Sequence, residues 1–171
     1  MIQRELRNLR LQGASLFASF SFFTLALFCL SLALGPNEKI LRECAPAFVW
    51  ILAILTTLFS TPLFLKNEAK AGLLDEVLLQ PSPPSLYLLS KMGAEILLLG
   101  LPLIFLGALL SPFFALSQDD VAALSATLLI GFPALSALGI LGGLLTLNTR
   151  PSSLLIPLLI LPLTLPLPLF A

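Results

Sequence analysis

Ionisable side chains are scarce in this sequence, and their largest group lies between residues 66 and 95. Lys66, Glu68, Lys70, Asp75, Glu76, Lys91 and Glu95 fall there. Carboxylates and lysines in that pattern can pair with one another, dock a charged partner or lie at a lipid surface. They lack what covalent catalysis needs. The 171 residues contain no histidine, which excludes imidazole ligation of a haem or metal and any Ser-His arrangement. No GxxxxGK[ST] loop is present to cradle a phosphate. Cys29 and Cys44 sit at different depths and read as two small buried hydrophobes rather than a disulfide. The chain therefore reads as neither an enzyme nor a cofactor binder, and any energy it uses comes from a partner.

The elements that must position these charges are set by what lies between them. Five uncharged runs occupy residues 11–37, 44–65, 96–118, 121–149 and 151–171. At about 1.5 Å rise per residue, even the shortest makes a helix of about 30 Å, the thickness of a bilayer's hydrocarbon core. Charged residues make up 11% and hydrophobic ones 58%, far from the balance of a water-soluble domain. Backbone amides in lipid must be satisfied internally, by helices or by a closed barrel. Barrel strands alternate apolar and polar residues, whereas these runs are unbroken and Leu-rich. The expectation is an all-α, polytopic transmembrane bundle forming one domain over 1–171. Its five spans fall at about 14–34, 46–65, 96–116, 121–147 and 153–171, with a cytoplasmic loop over 66–95. On those bounds no carboxylate lies in the middle of a span, so a proton relay has no carrier.

Orientation follows from Lys and Arg in short loops. Arg4, Arg7, Arg10, Lys66, Lys70, Lys91 and Arg150 lie on one side, against Lys39 and Arg42 on the other. The N terminus is thus expected in the cytoplasm. The first apolar stretch exceeds the length of a signal-peptide core, and Pro36 follows its small residues, so a retained anchor is expected. Ile2, Leu6 and Leu9 make an amphipathic segment ahead of it.

Within the 66–95 loop, Leu73, Leu74, Val77 and Leu78 share a helical face from which Asp75, Glu76 and Gln80 point away. Pro81 ends that helix, and the Pro-Ser-Pro-Pro run bars helix through the turn. Ser85 then stands where an N-cap would open the next helix. Two readings stay open. The helix lies on the headgroups, or it docks a cytoplasmic ATPase through Lys66, Glu68, Lys70, Gly72, Leu74, Asp75, Glu76, Leu78 and Pro81. The excess of acid over lysine disfavours a purely lipid-binding role.

Proline crowds the spans: Pro102 and Pro112 in the third, Pro133 in the fourth, and Pro157, Pro162, Pro166 and Pro168 in the fifth. Each removes a helical hydrogen bond, so such helices bend and pack against protein. They read either as hinges carrying motion to the outer face or as static kinks. Gly139 and Gly143 form a GxxxG pair that allows close helix approach, expected within the subunit.

The ordered set of these landmarks resembles the haem-exporter protein B family (CcmB), nearly end to end. It comprises Gly35-Pro36, Ala45-Pro46 with Trp50, Gly72, Leu74 and Asp75, Pro81, Pro83 and Lys91. It continues through Gly100-Leu101-Pro102, Gly131, Pro133, Gly139 and the Leu-Pro-Leu-Thr-Leu-Pro-Leu run at 161–167. The chain departs from the family at Pro62 and Leu63, where a Glu-Arg pair is usual, and at Glu95, where histidine is frequent. The family has six spans, and this chain stops at the end of the fifth.

The resemblance implies the permease subunit of an ABC-type complex in cytochrome c maturation, in the bacterial inner membrane and working as a homodimer. It implies an ATPase partner (CcmA-like), a haem-handling subunit (CcmC-like) and a haem chaperone (CcmE-like), which between them handle ATP and haem. The alternatives are an ABC permease exporting another amphiphile, such as a lipid or drug, and a membrane scaffold with no transport cycle.

Overall fold

The computed structural model describes residues 2–70 and 84–146. The fifth span expected over 153–171, with Pro157, Pro162 and Pro166, lies outside the described residues. The described part is helical throughout. Four segments are long and apolar enough to cross a membrane: Leu16–Leu34, Glu38–Lys66, Ser85–Leu109 and Gln118–Leu145.

Helix α1 (Ile2–Leu34) stops where the sequence makes stopping easy. Gly35 takes a left-handed φ of 71°, its N–H donates to the Leu32 carbonyl at 3.2 Å, and Pro36 cannot extend the helix. Asn37 opens α2 (Glu38–Lys70), its side-chain oxygen accepting from the Ile40 N–H at 3.4 Å. Thirty-three residues of helix run about 50 Å, well beyond the hydrocarbon core, so the polar end of α2 continues past the apolar zone.

The third span departs from its expected bounds. It begins at Ser85 rather than near residue 96, as α3 (Pro84–Glu95), a π turn (Ile96–Gly100) and α4 (Leu101–Leu109) stacked end to end. The reason is that Lys91 and Glu95, which mark a loop when read as bare charges, are both satisfied inside the bundle. The π turn has its own cause. Pro102 has no N–H for the Leu98 carbonyl and its ring crowds that turn, and the wider turn, closed by Leu101 N–H to the Ile96 carbonyl, makes room. A 3-10 turn (Ser111–Phe114) with Pro112 closes the span, and Ala115 follows in the left-handed region at φ 51°.

Helix α5 (Gln118–Thr146) starts with a reciprocal cap. The Ser117 N–H donates to Asp120 Oδ2 at 3.0 Å, and the Asp120 N–H donates to Ser117 Oγ at 3.3 Å. Arg42, one turn into α2, reaches across to Asp120 at 2.7 Å and ties the two helix starts together.

Helix α2 is the hub, packing along both α1 and α5, and its apolar segment is the most buried of the four. Phe23 and Leu27 of α1, Trp50 of α2, Leu103 of α4, Phe114 and Phe132 form the heart of the core. The outward faces carry Phe17, Leu25, Phe105, Leu109 and Ile130 into lipid. Glycines on α5 set how closely it meets α2. A Cβ on Gly131 would enter the Trp50 ring, and one on Gly139 would lie 2.9 Å from Thr61 Oγ1. One on Gly143 would strike Leu65 and come within 3.3 Å of the Pro62 backbone. The GxxxG pair is thus packed inside the subunit. Replacing Gly131 or Gly143 by alanine should destabilise the bundle by about 1–3 kcal/mol, the usual cost of overpacking. Gly93→Ala, which meets nothing within 4 Å, should not. Thermal unfolding in detergent distinguishes the two groups.

Candidate functional site

The chemistry-bearing residues converge on a polar seam between α2 and α3. Tyr87, Lys91 and Glu95 recur every four residues and so share one face of α3. Thr57, Thr61 and Glu68 do the same on α2, at spacings of four and seven. The two faces meet. Lys91 Nζ forms an ion pair with Glu68 Oε1, and Tyr87 donates its hydroxyl to Glu68 Oε2 at 3.3 Å. One turn deeper the Thr61 hydroxyl contacts Glu95 Oε1, and Ser136 of α5 donates to Glu95 Oε2 at 2.6 Å. Ser60, on the flank of the seam, bonds Ser19 of α1 at 2.5 Å.

Burial makes these contacts energetically large. Glu68, Lys91 and Glu95 are 4%, 6% and 5% exposed, and Ser136 is fully enclosed. Ionisable groups at such positions are tolerated only when paired, and inside a membrane protein they mark function more often than packing. Thr57 and Thr61 also donate to the carbonyls of Ala53 and Thr57, at 2.8 and 2.9 Å, which disposes of hydroxyls that lipid could not serve. Thr56 Oγ1 is buried with no hydrogen-bond partner.

The residues expected in the ATPase-docking helix are distributed as follows. Lys66 is half-buried near the end of α2, Glu68 is locked into the seam, and Lys70 is the last residue of α2. Gly72, Leu74, Asp75, Glu76, Leu78 and Pro81 lie outside the described residues. Residues 66–70 continue α2 rather than opening a loop, since nothing in Lys-Asn-Glu-Ala-Lys breaks a helix and Glu68 has a partner across the seam. Of the expected hinge and packing positions, Pro102 follows the π turn, Pro133 lies inside α5, and Gly139 and Gly143 line the α5 face toward α2. Pro133 removes the amide that would serve the Leu129 carbonyl.

One expectation is corrected. The sequence reading leaves no carboxylate within a span, yet Glu95 lies well inside Ser85–Leu109. Thr61 and Ser136, its two partners, were not singled out from the sequence at all. The available signal was the four-residue repeat of Tyr87, Lys91 and Glu95, a stripe that only a helix beginning before residue 87 produces. Among the described residues no cluster of carboxylates and thiols is placed to hold a metal. Cys29 and Cys44 are free thiols, as expected, but the expected burial is corrected: Cys29 faces outward from α1 and Cys44 is half-buried.

The opposite end of the bundle is built differently. A cleft of about 1310 Å³ opens there between α2 and α5, lined by Arg42, Pro46, Trp50, Asp120 and Leu124 among others. Its ion pair, Arg42 with Asp120, reaches solvent at the rim, whereas the charges of the seam are enclosed. Lys91→Met should therefore destabilise, by about 3–5 kcal/mol, because it removes the enclosed cation that faces the Glu68 carboxylate. The double variant Glu68→Leu with Lys91→Met should recover most of that loss, and Asp120→Asn at the rim should have a smaller effect than Lys91→Met. Chemical or thermal unfolding of the purified variants ranks the three.

Comparison with known proteins places these features in a family. The family model described as CcmB protein matches residues 1–171. Among similar curated proteins, Heme exporter protein B of Haemophilus influenzae is 34% identical over 171 residues, covering all of this chain and 77% of the relative. The protein of the same name from Pseudomonas aeruginosa is 33% identical over 166 residues, covering 97% and 74%. That of Escherichia coli K12 is 30% identical over 167 residues, covering 98% and 76%. A match that runs through the charged seam and the glycine-lined helix contact alike leaves one conclusion: this chain belongs to the CcmB family.

Proposed function

We propose that this chain is the membrane permease subunit of an ABC-type complex for cytochrome c biogenesis, serving haem export or the ATP-driven release of a haem-loaded chaperone. The observation that carries the reading is the family match over residues 1–171, with relatives named Heme exporter protein B. It is supported by the four helical segments that are long and apolar enough to cross a membrane.

On this reading ATP is hydrolysed in a CcmA-like partner, and haem is held by CcmC-like and CcmE-like partners. The permease acts as a homodimer in the bacterial inner membrane with its N terminus in the cytoplasm. The docking contact is the part of the expected 68–80 helix beyond α2, with Asp75 and Glu76 as its charged groups. The physical basis for coupling is that α2 and α3 flank this stretch and are clamped by the Glu68–Lys91 pair. A displacement applied between them moves both helices together, and the π turn before Pro102 is where the third span can bend.

The test is a haem stain for c-type cytochromes in a host lacking its own permease subunit and expressing this 171-residue chain. Restored staining is expected, and a well-inserted chain that restores none overturns the reading. Reversing Asp75 and Glu76 to lysine should reduce both co-purification of the ATPase and staining by at least severalfold. Unchanged values would remove that contact from the mechanism.

A further inference from the structure

Glu95 sits about 15 Å along the helix from Ser85, in a 25-residue apolar segment about 37 Å long. It is enclosed by three helices, and its two oxygens meet two hydroxyls: Thr61 of α2 and Ser136 of α5. No cation lies within ion-pair distance of it among the described residues. The charged and titratable groups around it are few. On its own helix Lys91 and Tyr87 lie one and two turns away, both turned to Glu68. On α2 there are Glu68 and Lys66. Helix α5 offers none nearer than Asp119 and Asp120 at its far end. The described side chains of α1 include no acid or base other than the outward-facing Cys29.

Counting hydrogens favours one state of this carboxyl. The Thr61 hydroxyl stands against two oxygens at once, Glu95 Oε1 and the Thr57 carbonyl at 2.9 Å, and it has one hydrogen to give. If Glu95 is ionised, that one hydrogen must serve two acceptors, and the nearest cation to the buried charge, Lys91 one turn away, is already paired with Glu68. If Glu95 carries a proton, every contact is filled. Its O–H donates to Thr61 Oγ1, Thr61 donates to the Thr57 carbonyl, and Ser136 donates to the remaining carboxyl oxygen. The proton comes from water and returns to it, so nothing else is consumed or produced.

We infer that Glu95 is a proton-binding site inside the membrane, a neutral acid whose single proton latches α3 to α2 and α5. Losing that proton breaks the relay to Thr61 and places a bare carboxylate among three helices, which loosens the joint or draws in water. The site does not depend on what the permease moves, so it stands or falls separately from haem export.

The sign of the pH effect follows. A carboxyl that is protonated when folded and ionised when unfolded contributes stability at low pH and loses it as pH rises. The experiment is infrared spectroscopy of the whole chain in dodecyl maltoside micelles, which contain no carbonyl group, with thermal unfolding on the same samples. At neutral pH the wild type should show the carbonyl band of a protonated carboxylic acid, and Glu95→Gln should lose it. Glutamine keeps both contacts through its amide, so that variant should fold and have an unfolding midpoint insensitive to raised pH, while the wild-type midpoint falls. Ser136→Ala, which removes a hydrogen bond from the carboxyl C=O, should move the band to higher frequency. A carboxylic-acid band that survives unchanged in Glu95→Gln, or a pH-dependent midpoint that survives there, overturns the site. If Glu95→Gln fails to insert, Ser136→Ala decides alone, and a band it leaves unmoved overturns the inference equally.

Discussion

Hydrocarbon offers no partner to a hydroxyl, a carboxylate or an ammonium, and α2 carries more such groups into the bundle than any of its neighbours. Thr57 and Thr61 meet part of this demand by bonding the carbonyl one turn back. The others require neighbours. Ser60 takes Ser19 of α1, Glu68 takes Lys91 and Tyr87 of α3, and Thr61 reaches Glu95, which brings in Ser136 of α5. Helices α1, α3 and α5 are therefore each tied to α2 by at least one polar contact, the last through Arg42 and Asp120. Those contacts fix its place at the centre, and the surrounding helices keep the lipid-facing surfaces.

Close approach follows from that requirement. Bonds of hydrogen-bonding length between helices need backbones nearer than leucine-on-leucine packing permits, and α5 provides this with Gly139 and Gly143 beside Thr61, Pro62 and Leu65. The same economy appears at Gly131 under Trp50 and at Gly100 under Phe132, whose ring carbon lies 2.8 Å from where a Cβ would sit. Small residues and buried polar residues thus alternate along one contact, each giving the other its reason.

The two ends of the bundle differ accordingly. At one end the charges flank residues 71–83, are enclosed and are paired between α2 and α3. At the other, Arg42 and Asp120 are exposed on the rim of a cleft and tie together two helix starts. An enclosed pair resists separation because breaking it strands a charge without water, whereas an exposed pair exchanges readily with solvent.

Much of this was legible in the residues themselves. Uncharged runs longer than the bilayer is thick dictate helices, because a lipid-embedded backbone has no other open arrangement. Gly35-Pro36 marks the end of α1 and the Gly139/Gly143 spacing marks a close contact, each for a reason local to a few residues. The extent of the third span was not legible, since Lys91 and Glu95 read as loop charges until Glu68, Thr61 and Ser136 are known to stand opposite them. Those partners lie 23, 34 and 41 residues away in the chain. Chain composition decides that a segment enters the membrane. Which charges may enter with it depends on what meets them there, and only the tertiary structure decides that, because the cost of burying a charge is set by its partners and not by its own type.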